Sequence, residues 1–511
     1  MARLHEYQGK ALLKQFGIPV PAGRAAADPE EARQVAEEIG GAVVVKAQAW
    51  VTGRAGLGAI RFADAPAEVE AAARDLLGMQ IGHFVVDQVM VEQKLDIKQE
   101  FYAGVIVDDR ARAPVVIFSS VGGTGIEEIA KEYPDRVARH TVDIRLGLRD
   151  FEAREMARKA GITGKLLIKL GGVIEKLYNA ARSYDARAAE INPLALTEAG
   201  DLVAADCRFT VDDYAVFRHK DLGIEIAREF DRPPTALEKV AWDVEKGDYR
   251  GTFYFIQMEQ GFSKGDGVVG FHGAGGGGSM MSMDAVLSKG FKIANFVDTS
   301  GNPPASKVYR AARIILSQPG IDGYFGSGSG VASQEQFHSA RGLVKAFMEV
   351  PLTVPAVIRL GGNAEDLAVD ILRRAADAIP APVEGYKKDD SPDFCAERLR
   401  ALVDGWMPPA ELPQGYARPD ATEPYTFETV TGGTVTLDHA RCRECESKVC
   451  IETCAPKILS LEGEVPVLNI THEEAKKGGC VECLACQVEC YFVGNKGGFV
   501  ELPIAGLDAL P

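Results

Sequence analysis

No uninterrupted apolar stretch of about 18 residues occurs in the chain, so no membrane-spanning helix is expected. A secretory hydrophobic region is also missing. The N-terminal segment moves directly into a polar helix pattern, which places the expected location in the cytoplasm. Positive charge is scarce: 57 Lys and Arg stand against 73 Asp and Glu, a net charge of -16. That balance argues against a general nucleic-acid binder. Cysteine is nearly absent from most of the chain. Only Cys207 and Cys395 lie outside the stretch from Cys442 to Cys490, which holds the other eight of the 10. Spread evenly, they would read as core residues; packed into one tail, they point to cofactor ligation in a reducing compartment. The rest is ordinary for a soluble chain: 511 residues, 46% hydrophobic and 25% charged, enough for several domains with large cores.

The stretch from Glu190-Ile191-Asn192-Pro193-Leu194 to Asp213 is the most informative in the N-terminal half. Ala195 to Thr197 is short and apolar, Glu198-Ala199-Gly200-Asp201 supplies turn residues, and Leu202 to Ala205 runs on to Asp206. A hairpin of this kind brings Asn192 and Asp206 near each other at the ends of paired strands. An amide oxygen and a carboxylate are hard ligands, suited to magnesium that takes few protein groups plus nucleotide phosphates. A surface hairpin whose polar residues cap turns uses the same residue types. Upstream, Asp28 and Pro29 start a helix. Val43-Val44-Val45 then reads as an inner strand closing on Lys46, followed by Gly53, Arg54, Gly56 and Gly58. A lysine there can meet phosphate oxygens or snorkel at a sheet edge.

Several stretches in order carry a resemblance: His5-Glu6-Tyr7-Gln8-Gly9-Lys10, Ala42 to Lys46, Val91-Glu92, Glu100-Phe101-Tyr102-Ala103-Gly104, Glu190 to Asp213, and Val357-Ile358-Arg359-Leu360-Gly361-Gly362-Asn363. Over about 1–385 the chain resembles the beta subunit of succinyl-CoA synthetase. The resemblance implies an α/β protein: an ATP-grasp nucleotide-binding domain over 1–235 and a flavodoxin-like CoA-ligase domain over 236–385. It implies that Lys46, Gly53, Arg54 and Gly56 meet nucleotide phosphates. Val91 and Glu92 would lie by the adenine, Glu100 by the ribose or the phosphate-metal contacts, and Asn192 and Asp206 would hold Mg2+ with ATP or GTP. Glu190 would address a phosphorylated histidine supplied by an alpha-like, CoA-binding partner subunit, with CoA and a small carboxylic acid as substrates. The loop departs from the family, which has Gly-Arg-Gly-Lys-Ala-Gly-Gly where this chain has Gly53-Arg54-Ala55-Gly56-Leu57-Gly58.

In the second domain, Val268 to His272 leads into Gly273-Ala274-Gly275-Gly276-Gly277-Gly278-Ser279. His272 stands where the family has asparagine, and nothing around it matches the Gly-His-Ala-Gly surroundings of the alpha-subunit histidine. A structural or pocket-lining role is expected. Ile321 to Phe325 meets Gly326-Ser327-Gly328-Ser329-Gly330, and a helix is expected to begin near Ser333. Strand, glycine loop and helix start make a phosphate receiver, with Gly328 and Gly330 as its backbone contacts and Ser327 and Ser329 as donors or turn residues.

A polar, Pro-rich linker is expected over 386–430, followed over 431–511 by a small α+β ferredoxin-like domain. Its cysteines are Cys442-x2-Cys445-x4-Cys450-x3-Cys454 and Cys480-x2-Cys483-x2-Cys486-x3-Cys490. The second spacing resembles half of a bacterial two-cluster ferredoxin. By the rule that the fourth ligand comes from the opposite half, one [4Fe-4S] cluster would use Cys442, Cys445, Cys450 and Cys490, the other Cys454, Cys480, Cys483 and Cys486. Zinc, which also takes four thiolates, is the rival. The expected function is thus the beta-like subunit of an NDP-forming acid–CoA ligase whose ferredoxin module reaches a ferredoxin-dependent oxidoreductase. The alternative is an ATP-dependent iron–sulfur electron-transfer or scaffold subunit.

Overall fold

The computed structural model describes residues 2–51, 54, 56–81, 84–123, 125–224, 232–328, 335–411 and 413–510. Gly53 and Gly330, both expected phosphate contacts, lie outside the described residues, as do Ser329 and Ser333. The chain divides into two units, 1–234 and 235–511.

The first unit holds two larger antiparallel sheets and the two-stranded pair Gln80–Ile81 with Phe84–Val85. In the four-stranded sheet, Val89–Gln93 lies between Gly23–Ala26 and Val43–Ala47, with Ile60–Ala63 outside the latter. Its strands are short and β-branched, and the helices Pro29–Ile39 and Pro66–Leu76 cover it through Ala32, Val35, Val69 and Leu76. Asp28 caps the first helix by accepting the Glu31 N–H at 2.8 Å, with Pro29 fixing φ in the opening turn. The larger sheet runs Ala2–Arg3, Cys207–Val211, Ala186–Thr197, Ile97–Asp108, Ala113–Ser119, Val137–Thr141, with Leu202–Ala204 paired to the end of Ala186–Thr197. The helices Glu6–Gln15, Asp150–Lys159 and Gly164–Ser183 bury their apolar stripes in a core with Phe101, Phe118, Leu177 and Phe209. Gly9 lets the first of these helices approach the sheet closely, since a Cβ there would stand 2.8 Å from Cys207 Sγ.

The second unit is built on a six-stranded sheet ordered Tyr254–Gln257, Lys292–Asp298, Val268–Ala274, Gly323–Gly328, Ala356–Arg359, Val383–Tyr386. All neighbours are parallel except the edge strand Tyr254–Gln257. The five parallel strands have the doubly wound order 2-1-3-4-5, the expected flavodoxin-like arrangement. Both faces are covered, which is why Val268–Ala274 and Gly323–Gly328 are buried along their whole length rather than at alternate residues. Ala305–Leu316, Phe337–Glu349 and Glu365–Ala375 contribute to one core. Pro392–Gly405 contributes Cys395, Ala396 and Leu399 to the other, alongside Val286 from Gly276–Ser288.

Beyond it come a three-stranded sheet (Pro424–Glu428, Thr434–Asp438, Gly498–Glu501), the hairpin Leu459–Glu462 with Val465–Leu468, and short helices including Ala485–Val493. This segment has no core of its own. Phe427, Val435, Leu437, Leu484 and Val500 join the apolar cluster that contains Val308, Leu343 and Phe347. Cys442, Cys450, Cys454 and Cys480 are packed into that same cluster. Among the described residues, no group of three or more His, Cys, Asp or Glu is placed to hold a metal ion. The expected ferredoxin-like domain organised by metal centres is therefore corrected: 431–511 is built on an apolar core shared with the domain before it. No helix among the described residues is long and apolar enough to cross a membrane.

Candidate functional site

The register of the larger sheet assembles the candidate nucleotide site. Glu190 pairs with Arg208 and Ile191 with Cys207, so the next step carries Asn192 and Asp206 to facing positions. Below them Leu194 pairs with Ala204 and Leu196 with Leu202, closing the hairpin at the glycine turn. The ladder is irregular between Ile191 and Leu194, where the Asn192–Pro193 peptide is cis.

Six ionisable side chains gather beside this hairpin. Lys46 Nζ lies 2.9 Å from Glu6 Oε1, 2.6 Å from Glu92 Oε1 and 2.8 Å from the Ala205 carbonyl. Lys10 Nζ lies 2.8 Å from Glu6 Oε1, 2.5 Å from Glu92 Oε2 and 2.8 Å from the same carbonyl. Arg54 Nη2 reaches Glu6 Oε2 at 2.6 Å and both Asp206 oxygens at 2.9 and 3.0 Å. Glu6, Lys10, Lys46 and Glu92 are buried, while the Asp206 side chain keeps 32% exposure. Burial would raise the Glu6 carboxyl, but Lys10, Lys46 and Arg54 together hold it well below the usual range. Burial opposes the charge on Lys46, yet Glu6, Glu92 and Asp206 hold it above its ordinary value. Asp206 is raised, chiefly by burial and then by Glu6, against the pull of Arg54, Lys46 and Lys10.

The other expected residues are placed as follows. Val91 is the middle residue of Val89–Gln93, flanked by Arg24 and Val45 in the ladders, and is fully buried. Glu92 is an ion-pair partner of both lysines rather than an exposed strand end. Glu100 opposes Ala195, and its Oε2 lies 2.6 Å from where a Cβ on Gly123 would stand. Gly56 is exposed in the turn before Ile60–Ala63. Burial pushes the Glu190 carboxyl above its ordinary range; Arg208 and the Asn192 amide pull against this, while Asp206 and Glu127 add to it. Cys207 is buried, its thiol pushed up first by burial and then by Asp206, so it packs rather than reacts.

Glu6 and Lys10 are members of this set that the sequence reading did not assign. Their signal was present: residues 6, 10 and 13 are spaced i, i+4, i+7, so two charges share a helix face with buried Leu13.

In the second unit Val268–Ala274 and Gly323–Gly328 are the two strands flanking the topological switch point; Gly275 alone joins the first to the helix Gly276–Ser288, whose opening turn holds the remaining glycines, and 329–334 lie outside the described residues. Asp298 Oδ1 accepts the Gly275 and Ser300 N–H groups at 2.9 and 2.8 Å. Ser327 Oγ bonds Ser282 Oγ at 2.7 Å, and the Gly328 carbonyl accepts from Arg359 Nη1 at 3.3 Å. His272 is buried, with Nδ1 2.6 Å from the Tyr324 hydroxyl and Nε2 3.4 Å from Thr299 Oγ1. Burial pushes its pKa down to about 3, so it is a neutral structural imidazole.

The tail cysteines line two cavities: Cys442, Cys445, Cys450 and Cys490 one of about 10 Å³, Cys454, Cys480, Cys483 and Cys486 the other of about 20 Å³. Each is about the size that holds a single water. With no metal-holding group among the described residues, the assignment of two [4Fe-4S] clusters to these eight residues is corrected. The electron-transfer or scaffold alternative and the ferredoxin-dependent oxidoreductase partner lose their basis with it.

The family model described as "ATP-grasp domain" matches residues 3–196, within the first unit. The chain is 39% identical over 386 residues to the succinate–CoA ligase [GDP-forming] subunit beta of Thermus thermophilus, spanning 75% of this chain and 97% of that protein. It is 37% identical over 390 residues to the [ADP-forming] subunit beta of Chloroflexus aurantiacus, spanning 76% and 97%. An ATP citrate lyase structure from Methanothrix soehngenii, in complex with citrate and coenzyme A, shares the fold with a TM-score of 0.63 at 18% identity, covering 78% of this chain and 99% of that one. The chain belongs to the beta-subunit family of the NDP-forming acid–CoA ligases.

Proposed function

We propose that this chain is the nucleotide-using beta-type subunit of an acid–CoA ligase that forms ADP or GDP together with a CoA-binding alpha-type subunit. The observation that carries this reading is the facing pair Asn192 and Asp206 beside the buried Lys46–Arg54 cation set. The donor set, an amide oxygen and a partly exposed carboxylate, suits magnesium, which takes few protein oxygens beside waters and phosphate. Magnesium held there would neutralise phosphate charge. Lys46, fixed by the end of its strand, and Arg54 are the protein cations able to stabilise the transferring phosphoryl group. Glu190, two positions before Asn192, is a hydrogen-bond acceptor for the imidazole of the partner's carrier histidine. The end of the strand Gly323–Gly328 is where the incoming phosphohistidine would be received. In the ligation direction, phosphate passes from the nucleotide to the histidine and on to the acid, and CoA sulfur then displaces it to leave the thioester. This chemistry belongs in the cytoplasm, where nucleotide and CoA are available.

The test is acid- and CoA-dependent NDP release by the chain purified with its alpha-type partner. Asn192→Ala and Asp206→Ala should each lower turnover by about 10²-fold or more. Normal turnover in both variants removes this site assignment.

A further inference from the structure

The two groups assigned to the cation are already engaged by the protein. Asn192 Oδ1 accepts the Gly123 N–H at 3.1 Å. Asp206 Oδ1 accepts the Cys207 N–H at 2.7 Å, and both its oxygens are taken by Arg54 Nη2. The same nitrogen bonds Glu6 Oε2, while Nη1 donates to the Ala47 carbonyl at 3.1 Å. Three carboxylates, Glu6, Glu92 and Asp206, thus balance three cations, Lys10, Lys46 and Arg54, in a largely desolvated set.

This balance has a consequence for ligands. A divalent cation arriving alone would add two positive charges to a neutral buried set and would compete with a guanidinium for one carboxylate. Nucleotide phosphates arriving alone would add negative charge beside Glu6 and Glu92. Arriving together, the two additions largely cancel, and the phosphates offer Arg54 a replacement for the carboxylate it gives up. Unbalanced charge in a desolvated site is costly, so the joint arrival is the favoured one.

Resting on the nucleotide reading above, we propose that Arg54 is an internal counter-cation that holds Asp206 closed to divalent metal until nucleotide phosphate draws the guanidinium away. Arg54 is then a positioning residue that couples metal binding to nucleotide binding. Glu6 keeps the other ends of the network in place: its Oε1 holds Lys10 and Lys46, and its Oε2 holds Arg54 whenever Asp206 releases it.

The experiment is equilibrium dialysis of the full chain with Mn2+, with and without the non-hydrolysable imido analogues of ATP and GTP. It is run on wild type, Arg54→Gln, Arg54→Lys and the double variant Arg54→Gln/Asp206→Asn. Wild type should bind Mn2+ weakly alone, and Mn2+ should tighten nucleotide binding by about 50-fold, within the usual span of coupling between sites. Arg54→Gln should bind Mn2+ without nucleotide and lose most of the coupling. Adding Asp206→Asn should abolish that nucleotide-free binding. Arg54→Lys, which keeps a cation against Asp206, should retain wild-type coupling and guards against reading a folding defect as a loss of exchange. Equal nucleotide-free Mn2+ binding by wild type and Arg54→Gln, with metal-dependent nucleotide binding intact, overturns this inference alone. Failure of wild type to bind either analogue with Mn2+ present overturns the nucleotide reading and this inference with it.

Discussion

At the residue scale the chemistry turns on carboxylates whose neighbours decide their charge. Glu190 and Asp206 come from the same hairpin, and burial pushes both upward, yet their partners differ. Asp206 is pinned by Arg54, while Glu190 faces Arg208 across the ladder and the Asn192 amide on its own strand. Glu190 must be ionised to accept a hydrogen bond from an imidazolium. Because its folded-state pKa lies above the ordinary glutamate value, phosphotransfer to the partner's histidine should fall as pH drops through that raised value. Glu190→Gln should remove this acidic limb and slow phosphotransfer by about 10²-fold. Rapid-quench transfer of labelled phosphate across a pH series measures both; a limb that survives in Glu190→Gln belongs to another group. The site residues were unevenly legible. The facing positions of Asn192 and Asp206 and the strand-end place of Lys46 were legible because turn residues and a β-branched run fix their local surroundings. The Arg54–Asp206 pair, 152 positions apart, carries no local signal, and Glu92 reads as a strand end until Lys10 and Lys46 are seen against it.

At the scale of elements, the helix Phe337–Glu349 is the seam that ties the C-terminal segment to the doubly wound sheet. Arg341 Nε and Nη2 lie 3.1 and 3.0 Å from Glu489 Oε1, and Arg374 reaches Glu489 Oε2 at 3.2 Å from a neighbouring helix. One turn on, Lys345 Nζ donates to Gln487 Oε1 at 2.9 Å and to the Val500 carbonyl at 2.6 Å. Arg341, Lys345, Gln487 and Glu489 are all buried, so the seam is a polar network inside an apolar cluster, in which Arg341 Nη1 alone of that guanidinium's nitrogens has no hydrogen-bond partner. Removing one member strands the others. Glu489→Gln leaves two guanidinium groups short of their carboxylate and should lower the stability of 235–511 by about 3–5 kcal/mol. Urea unfolding followed by tryptophan fluorescence reports it; a change under about 1 kcal/mol would mean the bridge behaves as a solvent-exposed pair. This seam also explains how the cysteine spacing misled. Spacing tells which sulfurs are close along the chain. It does not tell that Cys442, Cys450, Cys454 and Cys480 share a core with Val308, Leu343 and Phe347, because those residues lie about 100 positions or more away along the chain. Some of the parallel strands were readable for the opposite reason: burial on both faces leaves apolar runs at 268–271 and 356–358, visible without any knowledge of their neighbours, whereas Val383–Tyr386 carries no such run and gave no signal.

At the scale of the whole molecule, the chain divides its work between two units with separate cores. The nucleotide set lies entirely in 1–234: every contact of Lys10, Lys46 and Arg54 described above is to a residue of that unit. The strands flanking the switch point, and the C-terminal segment, belong to 235–511. The split follows sequence order, since each unit is contiguous and neither borrows a strand from the other. It also dictates how ligand should act on stability. A ligand that binds only the folded form stabilises by RT ln(1 + [L]/Kd), about 2.7 kcal/mol at a hundredfold excess over Kd. For a unit of 234 residues this corresponds to a midpoint shift of about 5–10 °C. Differential scanning calorimetry of the full chain should therefore show the transition of 1–234 move up by that amount with Mg-ATP or Mg-GTP, while the transition of 235–511 stays in place. Arg54→Gln should shrink the shift, because the lost guanidinium removes a phosphate contact from that unit alone. Equal movement of both transitions would place nucleotide contacts in the second unit as well, and movement of the second alone would relocate the site altogether.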